Sequence, residues 1–317
     1  MRATQSTKDD YPGPSASKTY DKYFGPSHSV PRLKSHVPQG LATWPSWNGK
    51  DDLLLVSSYS PQGKHACVIG LNAKTGKHVG TAKVKASHVG AVAIFERLGW
   101  AYLSSDHKYR VRKYALDALR DAIARSRYVR QEGADIKVFG ASFLASHAPT
   151  RTLWAGRFDS DERDYMHCYE VAADGSLEPR DGVWQVPRAT QGLAVTDGMF
   201  IYSCSWGRND RSSIYLVRRG AGSTDLDKAR LARFFAPSMS EGVTVCGSDI
   251  YIVYESGARE YNIGPDRPRN RITRLHKASL ASLEKLCPPA VSVRADTREA
   301  PRRRAEIPRA QAVNSIW

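Results

Sequence analysis

The sequence predicts an all-β protein: a ring of five blades, each of four antiparallel strands. Three observations carry this. A stretch of small residues around a glycine recurs five times, as Pro38-Gln39-Gly40-Leu41-Ala42, Ser87-His88-Val89-Gly90-Ala91-Val92, Val138-Phe139-Gly140-Ala141-Ser142-Phe143, Thr190-Gln191-Gly192-Leu193-Ala194-Val195 and Ser240-Glu241-Gly242-Val243-Thr244-Val245. Each is followed by a strong strand signal such as Leu53–Ser58, Phe200–Cys204 or Asp249–Val253. The equivalent positions Gln39, His88, Phe139, Gln191 and Glu241 are spaced by 49, 51, 52 and 50 residues. A near-constant period of that length, with several short strands per unit, is the signature of propeller blades.

In chain order, residues 1–30 are rich in Ser, Lys, Pro, Gly and Tyr without a hydrophobic period. They are expected to form a flexible N-terminal arm, whose tyrosines and Phe24 leave packing on the body open. The five-bladed propeller is expected over residues 31–285. Residues 31–37 precede the first unit as an outermost strand precedes each later one, so they are expected to complete the last blade and close the ring. Removing residues 1–37 would then destabilise the fold, and removing 1–25 would not. Within a blade the small-residue stretch is the innermost strand, because only small side chains fit near the axis. The second strand is the most apolar, and the third follows as Ala66–Leu71, Tyr109–Tyr114, Met166–Val171, Ser213–Val217 and Arg271–Leu275. Asn72-Ala73-Lys74-Thr75-Gly76 and Ala173-Asp174-Gly175 are turn signals before the fourth. Leu116, Leu119, Ala122 and Ile123 recur at helical spacing within 115–130, which predicts a surface helix there. Shorter helical turns are expected within 225–233 and 277–286. Residues 286–317 form an Arg- and Pro-rich tail lacking a sixth unit.

The formal charge is +15. The cationic surface suits an anionic partner, but no nucleic-acid recognition motif accompanies it. No apolar run is long enough to span a membrane. The five cysteines stand singly, without a CxxC pair, so neither a zinc nor a redox motif is indicated. No apolar signal-peptide core lies between Met1 and Leu33. The expected location is therefore cytoplasmic, or secreted if a leader has been removed, and a monomer is the expected state.

The blade period and the repeated Gly-Leu-Ala-Val and Gly-Val-Thr-Val strands resemble those of five-bladed β-propeller proteins, and loosely a set of uncharacterised actinobacterial propellers. The resemblance covers residues 31–285 and implies the fold. Such folds serve enzymes, lectins and scaffolds alike. It also implies a site at the channel mouth where first strands begin and second strands end.

That mouth gathers the strand-opening residues Gln39, His88, Phe139, Gln191 and Glu241. The loops leaving the second strands add Tyr59, Asp106, Arg157, Trp206, Arg208, Glu255 and Arg259. An acid, an imidazole, amides, arginines and aromatic faces in one concavity suit an oriented polar ligand. Glu241 and His88 are the acid–base candidates. Arg157, Arg208 and Arg259, in comparable loops, would hold an anionic group, while Trp206 and Tyr59 would stack on a ring. Asp106, Glu241, Glu255 and Gln191 are oxygen donors of the kind calcium prefers, but no Asp-rich loop accompanies them, so no cofactor is expected. The favoured expectation is a hydrolase-, lyase- or cyclase-type enzyme for a small polar or anionic molecule. The alternative is a non-catalytic ligand-binding or protein-interaction propeller, lectin-like or scaffold-like. A third is an anionic-polymer platform served by the tail. The mouth loops differ from blade to blade, which favours one central site over a site in every blade.

Overall fold

The computed structural model describes residues 16–288. After β1 (Gly25–Ser29), four strands form blade one: β2 (Val37–Trp44), β3 (Leu53–Tyr59), β4 (Ala66–Asn72) and β5 (His78–Val84). Blade two holds β6 (Val92–Phe95), β7 (Trp100–Ser104), β8 (Arg110–Ala115) and β9 (Glu132–Lys137). Blade three holds β10 (Phe143–His147), β11 (Thr152–Gly156) and β12 (Asp164–Val171), with two short outer strands, β13 (Leu177–Pro179) and β14 (Trp184–Val186), both paired to β12. Blade four holds β15 (Thr190–Val195), β16 (Met199–Cys204), β17 (Ser212–Arg218) and β18 (Leu231–Ala236). Blade five holds β19 (Ser240–Cys246), β20 (Asp249–Tyr254) and β21 (Arg274–Ser279), and β1 pairs with β21 as its outermost strand. The pairing is antiparallel throughout the five sheets. This is a five-bladed β-propeller closed by an N-terminal strand.

The closing strand is not the one expected. Gly25 pairs with Lys277 and Pro26 with His276. Residues 31–35 instead turn, with Ser35 and His36 both donating their N–H to Arg32 O at 2.9 Å. Val37 and Pro38 cannot serve the last blade because they already pair with Tyr59 and Ser58 in the first. Part of the expected arm also belongs to the body. Helix α1 (Lys18–Tyr23) starts at Ser17, whose hydroxyl accepts the Tyr20 N–H at 3.2 Å, satisfying one of the free donors of the first turn. Tyr20 is fully buried, stacks on Phe24 at 4.6 Å, and brings its hydroxyl within 2.7 Å of both Tyr254 Oη and His276 Nδ1. Residues 1–15 and the tail beyond 288 lie outside the described residues.

The core lies between blades, because side chains alternate along each strand and so face the two neighbouring sheets in turn. Ala42, Trp44, Leu53 and Leu55 of blade one pack against Val92, Ile94, Ala101 and Leu103 of blade two. Leu41, Leu54 and Val56 face Tyr251 and Val253 of blade five. The repeated glycine is explained by the approach of neighbouring first strands. A Cβ on Gly192 would lie 2.5 Å from Glu241 O, and one on Gly242 would lie 2.3 Å from Leu41 N. Second-strand serines clasp the next blade: Ser57 donates to Val89 O at 2.8 Å, Ser104 to Ala141 O at 2.6 Å, and Ser203 pairs with Ser240 at 2.7 Å.

The helix α2 (Leu116–Arg125) forms as expected and buries Leu116, Leu119, Ala122 and Ile123. The segment 225–233 makes a single helical turn, Ala229 N–H to Asp225 O at 2.9 Å, before β18 begins. Helix α3 (Leu280–Glu284) follows β21. That third strand runs from Arg274 to Ser279 and not over 271–275, since its register with β20 places Ser279 opposite Asp249 and His276 opposite Ile252. The displaced residues extend an irregular insertion, 255–273, that becomes important at the mouth. Among the described residues no helix is long and apolar enough to cross a membrane.

Candidate functional site

Three of the five strand-opening residues are placed by the same backbone device. The ladder between first and second strands slips between Pro38 and Leu41, between Thr190 and Gly192, and between Ser240 and Val243. Gln39, Gln191 and Glu241 sit in these bulges, where an extra residue breaks the alternation and re-aims a side chain. In blades two and three the first strand starts later, at Val92 and Phe143, so His88 and Phe139 sit in the preceding loops.

Blades five and one hold the polar centre. Gln39, buried, donates its amide to Glu255 Oε2 at 2.9 Å and to Pro38 O at 3.1 Å. Tyr261 donates its hydroxyl to the same Glu255 oxygen at 3.0 Å, and its oxygen lies 3.1 Å from Tyr59 Oη. Tyr59 stacks on the His88 ring at 4.5 Å. Glu241 is only 2 % exposed. Burial first, and then the negative charge of Glu255, hold its carboxyl well above the usual carboxylate range. Glu255 itself is pushed up to about 7, chiefly by burial, with the Tyr261 and Gln39 hydrogen bonds and the Arg208 charge opposing the rise. Desolvation dominates both shifts because the charged form loses most on leaving water. His88 is lowered by the protein packed around it, although part of its ring stays open to solvent. The mouth thus has an open rim and a largely buried floor. It holds two carboxyls raised by burial, that of Glu255 to about 7, and an imidazole lowered by burial.

The structure gathers Gln39, Glu241, Glu255, Tyr59 and His88, and it adds Tyr261, which no periodic signal marks because it lies in the 255–273 insertion. Arg208 joins through Tyr261, its guanidinium 5.0 Å from that ring, but it is committed to Asp266, whose carbonyl it meets at 2.5 Å and whose carboxylate it meets at 3.2 Å. Arg157 is also occupied. It lies 3.7 Å over the Phe139 ring, donates Nε–H to Phe139 O at 2.9 Å and also faces Tyr109, while His167 stacks on Phe139 at 4.0 Å. Arg259 is exposed and anchored through its backbone N–H to Leu33 O at 2.7 Å. The exposed Trp206 meets Phe158 at 5.5 Å, and Gln191 is half-buried on its bulge.

Asp106 belongs to a separate cluster with His107 and Asp135, whose ligand atoms are close enough to hold a cation. A cation is already there: the buried Arg112 guanidinium pairs with both Asp106 and Asp135, and Lys85 reaches Asp106 at 3.7 Å. The four oxygen donors suited to calcium are therefore not one set, since Asp106 is engaged on blade two.

No protein-family model matches the chain, and none of the curated proteins matches its sequence. Among solved structures it is similar to a chain of the nidogen/laminin complex, at 11% identity and a TM-score of 0.43, over 77% of this chain and 86% of that one. It is similar to hydrazine synthase of Kuenenia stuttgartiensis at 13% identity and a TM-score of 0.40, over 73% of this chain and 59% of that one. A candidate 6-phosphogluconolactonase of Bacteroides uniformis stands at 14% identity and a TM-score of 0.39, over 59% and 52%. At this distance the likeness concerns the fold alone, and the five-bladed propeller is shown by the chain's own sheet pairing.

Proposed function

We propose that the mouth at blades five and one is an acid–base site, of hydrolase or lyase type, for a small polar molecule. The observation that supports it is the carboxyl pair of buried Glu241 and half-buried Glu255, both raised by burial, with the Gln39 and Tyr261 hydrogen bonds opposing the rise at Glu255 alone. Paired groups whose environments push their titration apart are how one site supplies both an acid and a base. In this reading Glu255 is the base, since Gln39 and Tyr261 stabilise its anion, and Glu241 is the acid. Tyr59 and His88 form the wall against which the ligand lies. The commitments of Arg157 and Arg208 favour a neutral, hydroxyl-bearing ligand over an anion.

The test is a thermal-shift screen of the wild type and of Glu255→Gln against sugars, nucleotides, carboxylates and divalent ions. A ligand that raises the melting temperature of the wild type and not of the variant is expected. Incubation of that ligand should then turn it over, with a loss of roughly 10²- to 10⁴-fold in Glu255→Gln. Equal thermal shifts in both proteins would place binding elsewhere. A ligand recovered unchanged would leave the mouth as a recognition site without chemistry.

A further inference from the structure

Arginines gather away from the mouth, on the outer face of blade four. Arg233 on β18 lies opposite Tyr215 on β17, and its guanidinium sits over two rings, 5.3 Å from Tyr215 and 5.0 Å from Phe235. Its Nε–H and an Nη2–H both donate to the buried Ser213 Oγ, at 3.1 and 2.9 Å. The head is thereby held in place, yet Arg233 makes no ion pair among the described residues. A cavity of about 380 Å³ opens beside it, walled also by Tyr215 and by Arg163 and Arg188 from two neighbouring loops.

Arg188, in the loop between β14 and β15, is exposed, and its side chain makes no hydrogen bond or ion pair among the described residues. Arg163 is committed: it meets Asp227 at 2.8 Å and Gln185 Oε1 at 3.2 Å, so it is a wall of the cavity and not a free charge. The half-buried Tyr215 hydroxyl also has no hydrogen bond among the described residues. Burial raises the Tyr215 phenol, and Arg233, Arg163 and Arg188 each pull it back, so all three guanidiniums act on this one hydroxyl. Among the described lining residues the one acid is Asp161, exposed and accepting the Ser160 hydroxyl at 3.0 Å. Leu231, 39 % exposed, supplies an apolar flank.

We propose that this cavity, between a loop of blade three and the outer face of blade four, binds the phosphate group of a small phosphate monoester. The two uncompensated guanidiniums, Arg188 and Arg233, match the charge of nearly −2 that such a group carries at neutral pH. Tyr215 adds a neutral donor. A head already fixed by Ser213 gives up little freedom when the anion arrives. The volume lies at the small end of ligand sites, which suits a compact ester with its organic part against Leu231. The inference stands apart from the acid–base reading.

The experiment is a calorimetric titration of the full chain with phenyl phosphate and with benzoate, in about 0.15 M NaCl to screen diffuse attraction to a basic protein. One phenyl phosphate per chain is expected, bound at least about tenfold more tightly than benzoate. Arg188→Ala and Arg233→Ala should each weaken it about tenfold or more, and Tyr215→Phe about threefold, with the melting temperature held. Arg97→Ala, at an exposed arginine of blade two, and Glu255→Gln should bind as the wild type does. No saturable binding below about 10 mM, or benzoate bound equally well, overturns the proposal. An equal loss in Arg97→Ala does so too, because it would mean a general attraction to positive charge. If Arg233→Ala unfolds, Arg188→Ala decides the matter from its exposed position: full affinity there refutes the assignment.

Discussion

At the scale of single residues, the mouth carboxyls should give the protein an unusual dependence on pH. Glu255 rises from an ordinary 4.5 to about 7 on folding, so the folded state binds the proton more tightly than the unfolded chain. Its contribution is present below pH 4.5 and is lost as pH rises towards 7; Glu241, also raised by burial, loses stability with rising pH in the same sense. The surface acids Glu170 and Asp225 run the other way, being lowered by Arg180 and Lys228 respectively. Glu255→Gln, neutral at every pH, should therefore raise the melting temperature at pH 8 relative to the wild type, by on the order of 2 kcal/mol of stability, and change it little at pH 5. Denaturation at both pH values checks this; an equal effect at each would remove the argument. Gly242→Ala is expected to cost at least about 1–3 kcal/mol, because the new methyl meets the backbone of Leu41 and not a movable side chain. A urea midpoint measures it. Gln39 and Glu241 stood out in the sequence because polar residues interrupt a pattern of small and apolar ones, and Glu255 as a position in the loop after a second strand. The arginines were legible only as loop positions. Nothing in a loop position tells that Asp266 or the carbonyl of Phe139 will take the guanidinium.

At the scale of elements, the repeated strands were legible because each carries its own period and turn chemistry, and their boundaries mostly hold to within a few residues. The closing strand was not. Gly25-Pro26-Ser27-His28-Ser29 has no apolar alternation, since one flank is free and its half-buried side chains do little to specify it. What fixes it is distant: the β21 ladder, and α1 beside it with Tyr20 inserted between Tyr254 and His276. Deleting residues 1–25 removes that helix and its buried ring, so this truncation should lower the melting temperature strongly, contrary to the expectation from composition. Tyr20→Ala alone should cost about 3–5 kcal/mol. A truncated chain that melts with the full one would show that β21 tolerates an open edge.

At the scale of the whole molecule, the formal charge is +15, and most of it falls on the residues of the ring of sheets. Among the described residues most ion pairs are partly exposed, such as Arg125 with Asp121 and Arg163 with Asp227, and pairs of that kind contribute little. Self-repulsion should outweigh them, so raising the salt from about 0.01 M to about 0.5 M is expected to increase the melting temperature. A decrease would mean that attractive pairs dominate. Ring closure also orders events in time. Tyr20 and His276 are 256 residues apart, and a ribosome adding roughly 5–20 residues per second takes on the order of 10–50 s to make that span. The segment that seals the ring is thus made before all the blades and waits, while the strand it must join follows every other blade strand. A nascent chain released before blade five keeps an unsealed sheet edge however well its earlier blades have formed. The noncovalent clasp therefore makes closure of the ring conditional on synthesis reaching β21.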